Sequence, residues 1–517
     1  MYQVATLATL RESSPKTVEV DGIKIMLIRE GAHVHAFGAT CPHAGAPLDE
    51  GAIVDGRIVC PWHKACFRLD DGTLLEPPAL DGLTRYPVSI EGDAVSVSPV
   101  PAEASQAPRE THDPRLMLIV GAGAAGTAAA CALREFGFSG RIVLLGQEPG
   151  ASYDRTALSK FVLQGAMQPK EIPPLREAAF YAGHNIECVQ GKAIHLDRTS
   201  RKLMLADGTS IHYDRILIAT GGTPMRLQIP GADLPGVHTL RTREDASAIL
   251  NALGGRKLPV VIAGASFIGL EAASALREQD VPVTVVSPHQ QPFEAQFGER
   301  IGAMFRRVHE AKGARFLGGR TLARVEGATA VTGVVLDDGQ RIEAALVLVG
   351  IGVEPAAGFA MDLEKTPDGG IIVDVRMRAA CARMRTASDV FAAGDVARFP
   401  LGGRAAVRVE HWRVAQQHAR IAARSMLGDD DSREAGGAKA ESLEQVPFFW
   451  TYHYGRRYEY LGQSQDFDRV EIDGDLDSGP FLARLTSQGE LVGIVACDRE
   501  AETAALIVQP HIFKKPG

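Results

Sequence analysis

Over residues 1–98 apolar and polar side chains alternate in short runs, as in Thr17–Val20, Ile23–Ile28, Ile53–Val59 and Ala94–Val97. A period of two predicts half-buried strands. The pairs Asp21-Gly22, Asp55-Gly56, Asp71-Gly72, Asp81-Gly82 and Gly92-Asp93 predict tight turns between them. This stretch reads as an all-β module. From Pro99 to His112 the pattern dissolves into Pro, Ala and polar residues without a period, the composition of a semi-rigid linker. Beyond it, unbroken apolar runs such as Leu116–Val120, Leu258–Ala263 and Val281–Val286 alternate with Ala-rich helical stretches. Strands that are apolar on both faces belong in parallel sheets covered by helices. Residues 429–446 are polar and read as a second, flexible connection. An α/β tail follows, opening on Phe448-Phe449-Trp450-Thr451-Tyr452-His453-Tyr454.

Length and composition narrow the picture. A chain of 517 residues holds several domains, and 45% hydrophobic content is ample for several cores. The net charge of -8 argues against a nucleic-acid partner. No apolar run is long enough to span a bilayer, and Met1–Leu10 lacks the pattern of a secretory signal. Outside Cys41 and Cys60 the cysteines are scattered singly, which suits a reducing compartment. The expectation is a soluble, cytoplasmic protein.

The strongest chemical signal is Cys41-Pro42-His43 followed by Cys60-Pro61-Trp62-His63. One Cys and one His on each of two loops fit a Rieske-type [2Fe-2S] centre, in which two thiolates hold one iron and two imidazoles the other. A structural zinc site usually places a Cys pair before a His pair, a different order. Cys66 reads as a buried thiol. Ala46 and Trp62 stand where some Rieske domains carry a loop-to-loop disulfide. Lys64 and Ala65 stand where a hydroxyl often follows the second His. Fewer hydrogen bonds to the cluster place its expected potential toward the low end of about −150 to +300 mV.

Two glycine-rich loops come next. Gly121-Ala-Gly123-Ala-Ala-Gly126 follows a strand and opens a helix, the arrangement that cradles a dinucleotide pyrophosphate. Glu148 closes the following strand, where an acid holding a ribose hydroxyl is expected. Gly264-Ala-Ser266-Phe-Ile-Gly269 repeats the pattern with Ser at the second glycine. Its next strand ends in Ser287-Pro288-His289, with neither an acid to select NADH nor an Arg to clamp a 2′-phosphate. The choice between NADH and NADPH stays open.

Together with Ala219-Thr220-Gly221, Gly350-Ile-Gly352 and Gly394-Asp395, these loops resemble the two-dinucleotide-binding-domain flavoproteins. Tyr153-Asp-Arg155-Thr-Ala-Leu158-Ser159-Lys160 resembles a segment of oxygenase-coupled ferredoxin reductases and apoptosis-inducing-factor-like proteins, with Thr156 and Ala157 replacing two prolines. The resemblance implies FAD on the first fold, with Asp395 at its ribityl chain and pyrophosphate. It implies Lys160 beside the flavin, paired with Glu271, and Trp450 and Trp412 near the isoalloxazine. It further implies a multidomain architecture: an all-β Rieske module, two α/β Rossmann-like FAD and NAD(P) domains and a C-terminal α+β interface domain. The expected boundaries are 1–98 for the Rieske module, 99–112 for the linker and 113–235 for the first part of the FAD domain. They continue with 236–353 for the NAD(P)H domain, 354–428 for the rest of the FAD domain, 429–446 for the connection and 447–517 for the interface domain.

The activity so implied is an FAD-dependent NAD(P)H:ferredoxin-type oxidoreductase with its own ferredoxin, feeding an acceptor protein such as an oxygenase or a cytochrome P450. A homodimer is left open. The competing implication is an interaction or signalling protein whose conformation or oligomeric state responds to NAD(P)H. His43 and His63 are expected to turn their outer edges to solvent and to meet flavin domain and acceptor by turns, as the linker lets the module move.

Overall fold

The computed structural model describes residues 1–102, 113–381, 389–401, 406–428, 446–462 and 466–513. The linker predicted over 99–112 lies outside these from residue 103 onward, as does the connection predicted over 429–446 up to residue 445.

The N-terminal module is built of three small antiparallel sheets. One pairs Tyr2–Thr6 and Val88–Glu91 with Ala94–Val97. The second runs Lys16–Val20, Ile23–Glu30, His33–Gly38, and the third Ala52–Val54, Arg57–Val59, Cys66–Arg68, Leu74–Glu76. The stretch read as one strand over Ile53–Val59 is a hairpin, because Asp55 and Gly56 both take positive φ and reverse the chain.

Two doubly wound folds follow. In the first, a parallel five-stranded sheet orders Ile186–Gln190, Arg141–Gly146, Leu116–Val120, Arg215–Ile218 and Val390–Ala392. In the second the order is Val237–Thr239, Leu346–Val349, Val260–Ala263, Val283–Ser287 and Arg315–Gly318. The chain crosses between them on one antiparallel pair, Gly222–Pro224 with Val353–Pro355. Each first strand enters its glycine loop and a helix, α1 (Ala124–Glu135) or α2 (Phe267–Glu278). The helix α3 (Trp412–Leu427) closes the first fold. A five-stranded antiparallel sheet and the helix α4 (Glu500–Ile507) make the C-terminal domain.

The N-terminal module is packed onto the remaining chain as a core is packed. Val59 and Cys66 share one buried apolar cluster with Phe448, Trp450, Leu461, Ile494 and Ile507. Around it Glu76 accepts from Gln417 (2.7 Å) and meets Arg413 (3.4 Å), both on α3. Arg413 Nε also donates to the Pro77 carbonyl at 2.9 Å. At the rim Arg176 pairs with Asp81.

Candidate redox centre

The two cluster loops are copies of one turn. Cys41 N–H donates to the Ala46 carbonyl and Cys60 N–H to the Ala65 carbonyl, each at 2.8 Å. Gly45 and Lys64 occupy the matching place, with φ of 76° and 61°. The left-handed region suits Gly45. For Lys64 it costs about 1–3 kcal/mol that neighbouring contacts must offset. Those contacts are present: Lys64 is wholly buried, its Nζ 2.9 Å from Glu459 Oε1 and 3.1 Å from the Glu500 carbonyl. Thr503 Oγ1 donates to the other Glu459 oxygen.

The four candidate ligands fit a two-iron cluster better than a single ion. Cys41 and Cys60 hydrogen-bond to each other, and His43 Nδ1 stands 3.1 Å from His63 Nδ1. Sulfur therefore faces sulfur and nitrogen faces nitrogen. Among the described residues no three of these ligand atoms lie within 4.8 Å of one another, as a lone tetrahedral ion would require. The thiol–thiol hydrogen bond lowers the Cys60 value and raises that of Cys41. Burial lowers both histidines, keeping the imidazoles neutral as metal ligation needs.

The expectation that both imidazole edges face solvent fails for His63, which is 9% exposed with the Trp450 ring centroid 4.4 Å from its own, while His43 is half-buried. The reason is the docked C-terminal sheet, whose strand Phe448–His453 lies against the second cluster loop.

Behind Trp450 opens a cavity of about 1690 Å³. Its wall includes Gly121, Gly123, Glu148, Arg155, Lys160, Ala219, Thr220, Gly221, Ser266, Glu271, Gly352, Asp395, Trp412 and Trp450. Gly126, Gly264 and Gly269 lie outside the wall and serve packing. A Cβ on Gly126 would meet the Gly121 carbonyl oxygen at 1.7 Å, and one on Gly264 the Gly350 carbonyl oxygen at 2.3 Å. On Gly123 a Cβ would meet only Arg155 Nη2 at 3.8 Å, so the cavity side of that loop is an open cradle sized for a dinucleotide. Ser266 is the N-cap of α2, accepting from Gly269 N–H at 3.2 Å.

The charged groups of the wall hold one another in place. Glu148 accepts from Tyr153 (2.6 Å) and Arg155 (3.0 Å), and Asp395 pairs with Arg241 at 3.1 Å. Lys160 Nζ sits 3.1 Å from Glu271, which is 2% exposed, and 5.9 Å from the Trp450 centroid. Sequence reasoning missed Lys64 and Glu459, and also Arg457, whose guanidinium lies 5.4 Å over the Trp62 ring. Lining up the two cluster loops exposes Lys64, since a lysine stands there where its copy has Gly45.

Known proteins agree with this geometry. Residues 116–419 match the family model described as pyridine nucleotide-disulphide oxidoreductase, and residues 1–87 match the Rieske [2Fe-2S] domain. Apoptosis-inducing factor 3 of Homo sapiens is 33% identical over 512 residues, covering 95% of this chain and 81% of that protein. The biphenyl dioxygenase system ferredoxin–NAD(+) reductase component of Paraburkholderia xenovorans (strain LB400) is 38% identical over 399 residues, 76% of this chain and 93% of that one. The crystal structure of the ferredoxin reductase for the CYP199A2 system from Rhodopseudomonas palustris superposes with a TM-score of 0.69. It is 31% identical, over 75% of this chain and 92% of that one.

Proposed function

The chain belongs to the pyridine nucleotide-disulphide oxidoreductase family with a Rieske [2Fe-2S] domain ahead of it, and from that premise we propose an internal electron route. Electrons pass from NAD(P)H through FAD to the chain's own cluster, and then to a separate acceptor protein such as an oxygenase or a cytochrome P450. The chain is a ferredoxin-reductase-like oxidoreductase using FAD, a Rieske cluster and NAD(P)H. The observation that carries the route is the His63–Trp450 contact, 4.4 Å between ring centroids, with Trp450 also on the cavity wall.

FAD, when bound, takes two electrons together from NAD(P)H and releases them singly, which a [2Fe-2S] centre requires. The chain's residues do the positioning. Gly121 and Gly123 bring backbone close to a pyrophosphate at the N-terminus of α1, where the helix dipole favours negative charge. Glu148, held by Arg155 and Tyr153, offers carboxylate oxygens to a ribose; Ala219, Thr220, Gly221 and Asp395 border the same ligand. Ser266 and Gly352, both on the cavity wall, would border the nicotinamide nucleotide. Lys160 puts a cation into the cavity, steadied by Glu271, and favours a ligand ring that gains negative charge. Cys41, His43, Cys60 and His63 would hold the cluster.

With His63 covered by Trp450, the acceptor docks elsewhere. Trp62 adjoins His63 at 6.4 Å between centroids and is partly exposed under Arg457. Arg457 pairs across the sheet with Tyr452, whose ring lies 6.3 Å from the 42%-exposed Phe161. Aromatic rings around an arginine are the composition of an interface hot spot. Among the described residues no ion pair is formed by Arg457, and the nearby Glu459 carboxylate is already held by Lys64 and Thr503, so an acidic acceptor face is the natural complement.

The test is NADH- and NADPH-driven reduction of cytochrome c, which the intact chain should sustain and Cys60→Ser should lose. Negligible turnover in the intact chain, with NADH instead changing its oligomeric state, would favour the signalling reading.

A further inference from the structure

A buried polar chain leads away from the cavity through the C-terminal domain. Glu271 Oε2 accepts from Ser159 Oγ and from Lys160 Nζ, both on the cavity wall. Its Oε1 accepts from Thr451 Oγ1 at 2.7 Å, and the same hydroxyl lies 3.0 Å from His453 Nε2. The His453 ring meets the His309 ring at 5.2 Å and 74°, and His309 Nδ1 stands 3.1 Å from the Tyr454 hydroxyl. Both histidines are wholly buried, while Tyr454 reaches the surface beside Lys312.

The link between the two rings is the informative part. His453 Nδ1 and His309 Nε2 are buried and lack a hydrogen-bond partner among the described residues. Buried polar atoms are almost always satisfied, by ordered water where protein does not serve. One water between the rings would join both nitrogens, with the Leu270 carbonyl near His453 as a third neighbour.

We propose that Glu271, Thr451, His453, one bound water, His309 and Tyr454 form a proton exit from the cavity. The inference rests on the electron route above. Oxidation of NAD(P)H breaks the C4–H bond of the dihydronicotinamide, and the hydride amounts to two electrons and one proton. Two electrons go singly to two equivalents of a one-electron acceptor, so NAD(P)H + 2 A(ox) gives NAD(P)+ + 2 A(red) + H+. Lys160 and Glu271 lie on the buried side of the cavity, against Thr451 of the C-terminal domain, so that domain offers the proton a way out. Taken up by Glu271 through Lys160, it passes to Thr451 Oγ1, whose own hydrogen goes to His453 Nε2. The hydrogen on His453 Nδ1 goes to the water and onward to His309 Nε2. From His309 Nδ1 it reaches the Tyr454 hydroxyl and solvent. Burial holds His453 down to about 3 and His309 well below its ordinary value, so neutral rings pass a proton on and do not trap it.

A crystal structure of the holoprotein at a resolution that shows ordered water tests the link directly. Water within about 3.2 Å of both orphan nitrogens is expected, and a dry contact overturns the proposal. His309→Phe keeps a ring and removes both nitrogens, and Thr451→Val serves if that variant does not fold. Each should leave the first reduction of bound FAD by NADH unchanged. Each should also slow steady turnover by about tenfold or more and raise its solvent deuterium isotope effect. Unchanged turnover and isotope effect in both variants overturn the relay. Failure of NADH to reduce the cluster in the unmodified chain points instead to failure of the electron route.

Discussion

Lys64 Nζ lies 2.9 Å from Glu459 Oε1, a fully buried ion pair that joins the N-terminal module to the C-terminal domain. Both charges have left water, so the pair holds only because each satisfies the other, with Thr503 and backbone carbonyls taking the remaining bonds. Lys64→Met should leave Glu459 buried and unpaired and destabilise the protein by about 3–5 kcal/mol. Pairing it with Glu459→Met should recover most of that loss. Denaturant unfolding of the single and double variants checks both statements.

The acceptor surface predicts a charge effect. Arg457→Glu should lower kcat/KM for an acidic haem protein such as cytochrome b5 by about tenfold, equivalent to about 1.4 kcal/mol. It should leave NADH reduction of the cluster intact, and added salt should weaken the wild-type reaction. Equal kcat/KM in wild type and variant would remove Arg457 from the surface.

The two glycines of the first loop should separate folding from cofactor binding. Gly121 has φ of 108°, and a Cβ there would meet the Ala219 carbonyl oxygen at 2.2 Å, so Gly121→Ala should lose stability as well as FAD. Gly123→Ala meets only Arg155 Nη2 at 3.8 Å, so its apoprotein should melt like the wild-type apoprotein while FAD occupancy falls. Thermal melts beside flavin absorbance per chain distinguish them.

Acid should unfold the protein through buried imidazoles. Burial depresses His411 to about 4 and His418 and His453 to about 3. Below the ordinary value of 6.5 the unfolded chain binds protons that the folded chain refuses, so stability falls as pH falls from there toward 3. The His418 ring shows why it stays neutral: its Nδ1 accepts from Gly394 N–H at 3.3 Å. Unfolding midpoints measured from pH 7 to pH 4 should drop steadily, and His418→Gln should flatten the slope.

What the sequence made legible is what local pattern encodes. The two Cys–His loops and both glycine loops carry their chemistry within a few consecutive residues, and the strand–loop–helix grammar around them follows from hydrophobic period. Contacts between distant segments left no such mark. Nothing in the local pattern joins Lys64 to Glu459, and nothing near Glu76 announces Gln417 or Arg413. The exposed edge expected of His63 was misjudged for the same reason, since the covering residue, Trp450, comes from the far end of the chain. Thr451, His453 and His309 likewise form a chain only after two domains have packed.

The most direct test of the electron route is anaerobic mixing with NADH and then NADPH, following flavin bleaching by absorbance and the cluster by its EPR signal. The account predicts that the cluster is reduced after the flavin, at a rate independent of protein concentration, because donor and acceptor share one chain. A cluster that stays oxidised while the flavin bleaches, or one whose reduction rate scales with protein concentration, would contradict it.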